Sequence, residues 1–218
     1  MAEELLDNYQ IKLNKTVVNV TIKRDSQDTV PHYIISLINI SRGTQLILNK
    51  IRDEFVSKNV IVTSTQDLEE EDIRKKFEQE IQLLIAKYFP NIDAETMDLL
   101  IAYLIQQNIG LGELEIVLKD AFLEEIVVNN AEDPVWVYHK KYGWLKTNIK
   151  IENEARVRYY ATMIGKDIGK EITLLNPLMD AHLKTGDRVN ATLSPISSRG
   201  NTITIRKFAE KPWSVIDL

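Results

Sequence analysis

The sequence predicts an α+β fold in which strand-rich segments at both ends enclose a helical centre. Residues 16–23 are rich in β-branched types, which favour strands. Apolar residues recur at helical spacing over 44–58, about 65–90 and 93–108. After Gly112 the chain changes to short β-like runs separated by glycines and polar turns. We therefore expect a mostly antiparallel sheet together with a helical segment.

Composition and charge narrow the classes of function. The chain has 218 residues, which is enough for one large domain or two small ones. Its formal net charge of −5 argues against broad nucleic-acid binding, because that requires clustered Lys and Arg. The absence of cysteine excludes disulfides and thiolate metal sites and favours an intracellular location. No signal peptide or run near the roughly 20 apolar residues of a membrane helix is present, so we expect no transmembrane segment.

The first 60 residues are predicted to form a strand–loop–strand–helix unit. The strands are expected at 16–23 and 32–40, and the polar segment between them ends at Pro31. The helix is expected over 44–58, where the apolar residues fall on one face.

Two further helices are predicted in the centre of the chain. The first begins at a capping residue, Thr65 or Asp67, and stops before Pro90. The second runs from Asp93 to Asn108. We interpret the acidic run at 69–72 as a helix start rather than a metal site, because negative charge suits that end of a helix and no partner ligands lie nearby in sequence.

The remainder of the chain is predicted to alternate between strands and short helices. Helices are expected at 113–119 and 152–164, and strands at 125–129, 135–138, 144–149, 178–183, 188–193 and 202–208. The segment 139–143 is predicted to be a hairpin turn. The aromatic residues Trp136, Tyr138, Tyr142 and Trp144 resemble a base-stacking surface, but we favour an ordinary sheet face.

Two glycine-containing segments resemble phosphate-binding loops but fail on spacing. Gly165 to Lys170 has three residues between its glycines instead of four, and Glu171 stands where a Ser or Thr would hold magnesium. We predict that it is a helix end and turn. Gly110 and Gly112 follow a predicted helix and lack the third glycine of a dinucleotide fingerprint. No Gly-x-Ser-x-Gly motif of a serine hydrolase is present.

The clearest candidate site lies on the last two predicted strands. Side chains alternate between the faces of a strand, so Arg188 and Arg206 emerge together on a polar face if the apolar faces of the two strands coincide. Two guanidinium groups there suit a phosphate, because each presents a planar fork of donors. The alternative is that these arginines pair with nearby acids such as Asp180 or Asp187.

The order of motifs in this region resembles a known family. The matching segments are Glu124 to Asn130, Pro177 to Leu183, Gly186 to Ala191, Thr204 to Phe208 and Lys211 to Ser214. Together they resemble the N-terminal domain of the type II/type IV secretion ATPase superfamily, and in particular its archaeal branch that drives archaellum and type IV pilus assembly. The resemblance covers about residues 95–218, and residues 1–60 match loosely.

The resemblance implies a cytoplasmic hexamer in which a PAS-like α/β domain is joined by a linker to a RecA-like ATPase domain. ATP and Mg would belong to that full-length parent, and no cofactor is expected in this piece. Arg188 and Arg206 match the family's phosphate-contacting arginines, with Arg199 as a weaker third candidate. Asp180 is expected to orient one of them. No Walker loop or magnesium ligand occurs before Leu218, so we expect no hydrolysis by this chain alone.

The pattern along the chain and the resemblance together divide the chain into four expected segments. These are a partner-docking unit at 1–63, a helical segment at 64–110, the PAS-like domain at 111–208 and the start of a linker at 209–218. The expected partners are the chain's own ATPase domain, neighbouring subunits and, through 1–63, a membrane platform or other assembly proteins. The chain would then be peripheral at the inner face of the cell membrane. A stand-alone protein-binding adaptor without nucleotide chemistry is the alternative.

Overall fold

The computed structural model describes residues 3–13, 16–37, 42–59 and 70–208. These residues form helices and a mixed sheet, which confirms the predicted α+β class. The elements in chain order are β1 (Glu4–Leu13), β2 (Thr16–Arg24), β3 (His32–Leu37), α1 (Arg42–Asn59), α2 (Glu70–Tyr88), α3 (Ala94–Ile109), α4 (Leu114–Lys119), β4 (Leu123–Val128), β5 (Trp136–His139), β6 (Gly143–Thr147), α5 (Glu154–Asp167), β7 (Leu178–His182), β8 (Arg188–Thr192) and β9 (Thr202–Arg206).

Most of these elements lie within a few residues of their predicted positions. The hairpin turn before Gly143 and the helix that begins after Asp93 are confirmed, and the Asp93 side chain accepts a hydrogen bond from the Thr96 amide at 2.8 Å. Strand β1 was missed, because its apolar residues do not alternate cleanly and Asp7 disfavours strands. The predictions for 38–40, for a cap at 65 or 67, for the acidic residue at 69 and for a linker at 209–218 lie outside the described residues.

The strands form one nine-stranded sheet in the order β1-β2-β3-β6-β5-β4-β9-β8-β7. The pairs β6–β5, β5–β4, β4–β9, β9–β8 and β8–β7 are antiparallel, and β3 pairs with β6 in parallel. The sheet is therefore mostly antiparallel, as predicted. Its order differs from chain order, since β9 lies between β4 and β8.

The two faces of the sheet differ in burial. The inner face carries apolar side chains from each of its strands, and helix α5 packs there. Val189 and Ile205 on this face are at most 1% exposed. The opposite face, which we call the outer face, carries polar and aromatic side chains that are half-buried or exposed. This separation explains the alternating sequence of β7, β8 and β9.

The chain divides into two compact units. Unit 1 comprises Met1–Ile11, Asn19–Ser36 and Ile116–Leu218, and unit 2 comprises Lys12–Val18 and Leu37–Glu115. The core of unit 2 is a cluster contributed by α1, α2 and α3, in which Ile51, Ile81 and Ile85 are fully buried. The predicted segments 1–63, 64–110 and 111–208 do not coincide with these units, because β1 to β3 join the sheet of the C-terminal strands. Their boundaries as separate folding domains stay a prediction.

Candidate functional site

Arg188 and Arg206 lie side by side on neighbouring strands. Arg188 begins β8, Arg206 ends β9, and antiparallel pairing places the two residues directly opposite each other. Their side chains lie on the outer face and are 59% and 70% exposed. Opposed side chains on one face have Cβ atoms about 4.5–5.5 Å apart, so both guanidinium groups can reach a single anion.

Burial on the inner face sets this register. Val189 is paired with Ile205, and Ala191 with Ile203, and all four side chains are at most 1% exposed. A slip of one residue would turn these apolar side chains toward solvent, which burial of the inner face opposes. The same alternation directs the arginines outward.

Asp180 on β7 holds Arg188 by a bidentate contact. The Arg188 Nε donates to Oδ1 at 3.1 Å, and Nη2 donates to Oδ2 at 2.8 Å. These hydrogen bonds lower the pKa of Asp180 and raise the pKa of Arg188. The second nearby acid, Asp187, instead accepts from the Thr185 hydroxyl at 2.7 Å. The contact suits the orienting role predicted for Asp180 and equally suits a local ion pair, so the phosphate role stays a prediction.

Arg206 has a different acidic neighbour. Its Nε lies 3.4 Å from Oε1 of Glu125, which is the residue paired with it on β4. The Glu125 side chain is 20% exposed, so one side of this carboxylate is covered by the sheet. Sequence reasoning missed Glu125, because it lies some eighty residues from Arg206 and only the strand order brings them together.

The structure does not bring Arg199 to the other two arginines. It lies in the exposed loop that joins the far ends of β8 and β9, whereas Arg188 and Arg206 occupy the near ends. Four strand steps of about 3.3 Å separate the two ends by roughly 13 Å. A phosphate role for Arg199 stays a prediction, and it would concern a different part of the surface.

The end of that loop is held to helix α5. The Glu154 carboxylate accepts hydrogen bonds from the Asn201 amide at 2.6 Å and from the Ala131 amide at 2.7 Å. Gly200 adopts φ +127°, and a Cβ at this position would lie 2.5 Å from Glu154 Oε1. Glycine is therefore required there for both conformation and space.

The arginine pair belongs to a longer line of residues across the outer face, which we call the basic–aromatic row. Each member is the register partner of the next on the adjacent strand. From β7 to β6 the row consists of His182, Arg188, Arg206, Glu125, Tyr138 and Trp144. The sequence could assign each residue to a face, but it contained no signal for the order of the strands.

The four aromatic residues considered for base stacking separate into two places. Tyr138 and Trp144 pack edge to face on the outer face, with ring centroids 5.4 Å apart, and Trp144 is 42% exposed. Trp136 lies two residues from Tyr138 along β5 and shares its face. The Tyr142 hydroxyl instead donates to the carbonyl of Leu6 at 3.0 Å and ties the hairpin turn to β1. The predicted sheet-face arrangement thus holds for three of the four.

A buried polar cluster in unit 1 was also missed. Asp120 is 1% exposed, and its Oδ2 accepts hydrogen bonds from the hydroxyls of Tyr9 at 2.6 Å and Tyr33 at 2.7 Å. Its Oδ1 accepts from the Phe122 amide at 2.8 Å. Burial raises the pKa of both tyrosines, so the hydroxyls stay protonated and donate.

His139 lies beside this cluster at 2% exposure. Its Nδ1 accepts from the Lys141 amide at 3.1 Å, which leaves the proton on Nε2, and Nε2 has no partner among the described residues. Burial lowers the pKa of His139, and the charged groups that act on it are Asp120, Asp7, Lys141 and Lys140. The histidine is therefore held neutral in an apolar, aromatic setting.

The glycine segment rejected as a phosphate loop is confirmed as a helix end. The amides of Gly169 and Lys170 donate to the carbonyls of Lys166 at 3.1 Å and Gly165 at 2.8 Å, which closes the last turn of α5. Gly169 adopts φ +66°, the left-handed conformation common at this position. The segment is thus used for the turn.

Within the described ranges, no group of three or more His, Asp or Glu side chains is arranged to hold a metal ion. In the same ranges, none of the helices combines the length and apolar character needed to cross a membrane.

Comparison with known proteins identifies relatives from Methanocaldococcus jannaschii. The chain is 32% identical to the uncharacterized protein MJ0781 over 219 residues, which cover 99% of this chain and 28% of that protein. It is 28% identical to the uncharacterized protein MJ1288 over 192 residues, which cover 87% of this chain and 75% of that protein. It is 37% identical to the uncharacterized protein MJ0900 over 128 residues, which cover 58% of this chain and 23% of that protein. The chain thus spans little more than a quarter of the first relative.

No protein-family model matches the chain. Among solved structures, it is similar to the VirB11 ATPase of the Brucella suis type IV secretion system in complex with sulphate. The TM-score is 0.41 at 19% identity, over 48% of this chain and 31% of that one. A similarity of this extent leaves the activity of this chain open.

Proposed function

We propose that this chain is the N-terminal regulatory and oligomerisation domain of a hexameric secretion-type ATPase that powers archaellum or type IV pilus assembly, or protein secretion. Arg188 and Arg206 would contact the phosphates of ATP bound by a C-terminal ATPase domain. The observation that carries the proposal is the direct cross-strand pairing of these two arginines on an exposed face. The resemblance of the surrounding motifs supports the same assignment.

The geometry of the arginine pair suits reversible binding of an anion. The exposed ion pair of Arg188 with Asp180 contributes little to stability, because both groups remain largely solvated. Asp180 contacts Nε and Nη2 along one side of the guanidinium, which fixes the direction of the group, and the Arg188 side chain remains 59% exposed. Such preorganised positive charge stabilises charge that develops on a phosphoryl group.

The remaining elements of the proposal concern the whole protein. ATP and Mg would be held by the ATPase domain, where hydrolysis would take place. Neighbouring subunits and, through residues 1–63, a membrane platform or other assembly proteins would be the partners at the cytoplasmic side of the membrane. The greater length of MJ0781 and MJ0900 is consistent with a domain of this kind within a longer chain.

The first test is hydrolysis by the full-length protein with each arginine replaced. We expect Arg188→Ala or Arg206→Ala to lower turnover by roughly 10²-fold or more, a typical loss for one charge-stabilising donor. Lysine at either position is expected to restore activity only in part, because it cannot form the bidentate contact. Arg24→Ala, at an exposed position on β2, is the matched control and should leave turnover unchanged. Wild-type turnover in both Arg188→Ala and Arg206→Ala would rule out the arginine role.

The alternative of a stand-alone adaptor is favoured by one observation. The match to MJ1288 covers 75% of that relative, so a related chain exists with only about a quarter of its length outside the match. The reading frame beyond Leu218 separates the two proposals. A strand–Gly-x-x-x-x-Gly-Lys-Ser/Thr–helix unit downstream is expected for the ATPase, and a frame without one would favour the adaptor.

A further inference from the structure

The basic–aromatic row continues beyond the arginines onto an aromatic surface. Glu125, Tyr138 and Trp144 follow Arg206 on the next three strands, each as the register partner of the one before. With strands about 4.8 Å apart, Tyr138 lies roughly 10 Å and Trp144 roughly 14 Å from Arg206 along the row. An extended nucleoside triphosphate bridges this range between its terminal phosphates and its base.

We propose that the row binds a whole nucleoside triphosphate, with the phosphates on Arg188 and Arg206, the ribose hydroxyls at Glu125 and the base on Tyr138 and Trp144. The phosphate end rests on the proposed function above. The ribose and base subsites are the addition, and they place the base against this chain.

The order of chemical groups along the row matches the order of groups in a nucleotide. In the row itself, the basic residues are confined to β7, β8 and β9, where His182 and the two arginines are adjacent. The acid comes next, and the aromatic rings follow on β5 and β6. A single-stranded nucleic acid would instead require positive charge repeated beside the aromatic residues, whereas β5 and β6 carry one such residue, Lys146, as the register partner of Trp136. The order therefore favours a mononucleotide.

Glu125 has the properties of a ribose contact. A carboxylate accepts hydrogen bonds from ribose hydroxyls in dinucleotide-binding proteins. The Glu125 side chain is 20% exposed and is anchored by the ion pair of its Oε1 with Arg206 at 3.4 Å. Because a carboxylate has several acceptor positions, one ion pair does not exhaust it.

The aromatic end has the properties of a base contact. Trp144 presents a large ring at 42% exposure, and the edge-to-face packing of Tyr138 at 5.4 Å restricts its motion. Aromatic rings stack on any base, because every base has a π-face. Trp136 lies on the same face of β5, two residues from Tyr138.

The test is titration of the ¹⁵N-labelled 218-residue chain, in which backbone amide signals measure the affinity of each ligand. The indole N–H signals of its tryptophans, which are Trp136, Trp144 and Trp213, report contact with the base. The ligands are ATP, 2′,3′-dideoxy-ATP and inorganic tripolyphosphate. We expect ATP to shift the Trp144 signal, assigned by its loss in Trp144→Phe, and tripolyphosphate to leave it unshifted. Trp144→Ala should weaken the binding of ATP by about tenfold or more, which is the usual contribution of a stacked base to affinity. It should not weaken the binding of tripolyphosphate.

Two further variants separate the subsites. Glu125→Ala should weaken the binding of ATP more than that of dideoxy-ATP, because dideoxy-ATP has no ribose hydroxyls that could contact Glu125. Arg206→Ala should weaken all three ligands. Leu175→Ala is the matched control, because this apolar side chain is 99% exposed and lies in the loop before β7, outside the row; it should bind the ligands like the wild type.

The outcomes distinguish this inference from the proposed function. Equal binding of ATP and tripolyphosphate, both sensitive to Arg206→Ala, would overturn the base and ribose subsites and leave the phosphate role standing. No shift with any of the three ligands would overturn the inference for this chain, while hydrolysis by the full-length arginine variants decides the proposed function. Tighter binding of an oligouridylate than of ATP would overturn it in favour of a nucleic-acid surface.

Discussion

The buried Asp120 carboxylate is the most informative point at which to perturb unit 1. It is 1% exposed and accepts hydrogen bonds from Tyr9, Tyr33 and the Phe122 amide, so it joins residues that are far apart in the chain. Replacing Asp120 or removing a tyrosine hydroxyl therefore tests whether this cluster holds β1 and β3 against the start of β4.

The contacts set the expected magnitudes. A hydrogen bond to a charged group contributes about 1.5–3 kcal/mol, and Tyr33→Phe leaves two donors on Asp120 and no orphan donor, so we expect a loss near 1.5 kcal/mol. Asp120→Ala leaves three donors without this acceptor, namely the buried Tyr33 hydroxyl and the part-buried Tyr9 hydroxyl and Phe122 amide. A buried unsatisfied donor costs about 1–3 kcal/mol, and a part-buried one costs less because water can reach it. We expect a total loss of about 3–5 kcal/mol. Asp120→Asn should cost less, because its amide can donate to the tyrosine oxygens.

The assay is urea unfolding at neutral pH followed by tryptophan fluorescence, since Trp136 and Trp144 lie in unit 1. In a parallel thermal unfolding experiment, the midpoint temperature should fall by about 2–4 °C for each kcal/mol of stability lost in a chain of this length. Tyr138→Phe is the matched control, because this half-buried tyrosine lies on the outer face, and its effect should stay within about 0.5 kcal/mol.

The reasoning depends on direct coupling between Tyr33 and Asp120. In the double variant Tyr33→Phe/Asp120→Ala, the hydroxyl that would have been left unsatisfied is absent, so the loss should be smaller than the sum of the single losses by about 0.5–3 kcal/mol. Additive losses in the double variant would refute the hydrogen bond as the source of stability.

Two other predictions concern His139 and Gly165. Burial lowers the pKa of His139, so below about 6.5, the value for a free histidine, the unfolded chain binds a proton that the folded chain does not, and stability falls with falling pH. His139→Phe should flatten this decline by up to about 1.4 kcal/mol per pH unit in urea titrations, and an unchanged slope in His139→Phe would contradict the assignment. At Gly165 a Cβ would lie 2.7 Å from the Lys170 carbonyl oxygen, so Gly165→Ala should destabilise by about 1–3 kcal/mol despite the better helix propensity of alanine. Gly169→Ala, with open space but φ +66°, should cost about 1 kcal/mol, and a thermal midpoint of Gly165→Ala at or above the wild type would show that the close approach is tolerated.

Local pattern was sufficient for much of the fold. Alternation along 188–193 and 202–208 assigned Arg188 and Arg206 to the polar face, because side chains in any strand point alternately to its two sides. Helical spacing located α2 and α3, and the glycine spacing near 165–170 excluded a phosphate loop. Each of these inferences uses residues that are close together in the sequence.

Strand β1 and the Asp120 cluster could not be predicted from local sequence pattern. The residues of β1 have a weak strand pattern, and their place in the sheet depends on the neighbouring strand rather than on propensity. Asp120, Tyr9 and Tyr33 have no spacing in sequence that would mark them as partners. Their hydrogen bonds exist because folding buries three polar groups together and each then requires a partner.

The sequence by itself determined the α+β class, the faces of the strands and the identity of the two candidate arginines. The tertiary structure alone decided that β9 lies between β4 and β8, and hence that Glu125, Tyr138 and Trp144 extend the line of Arg188 and Arg206. It also separated Arg199 from that pair by the length of the hairpin. The physical reason is that side-chain alternation is a property of each strand, whereas the order of strands follows from which apolar faces can be buried together.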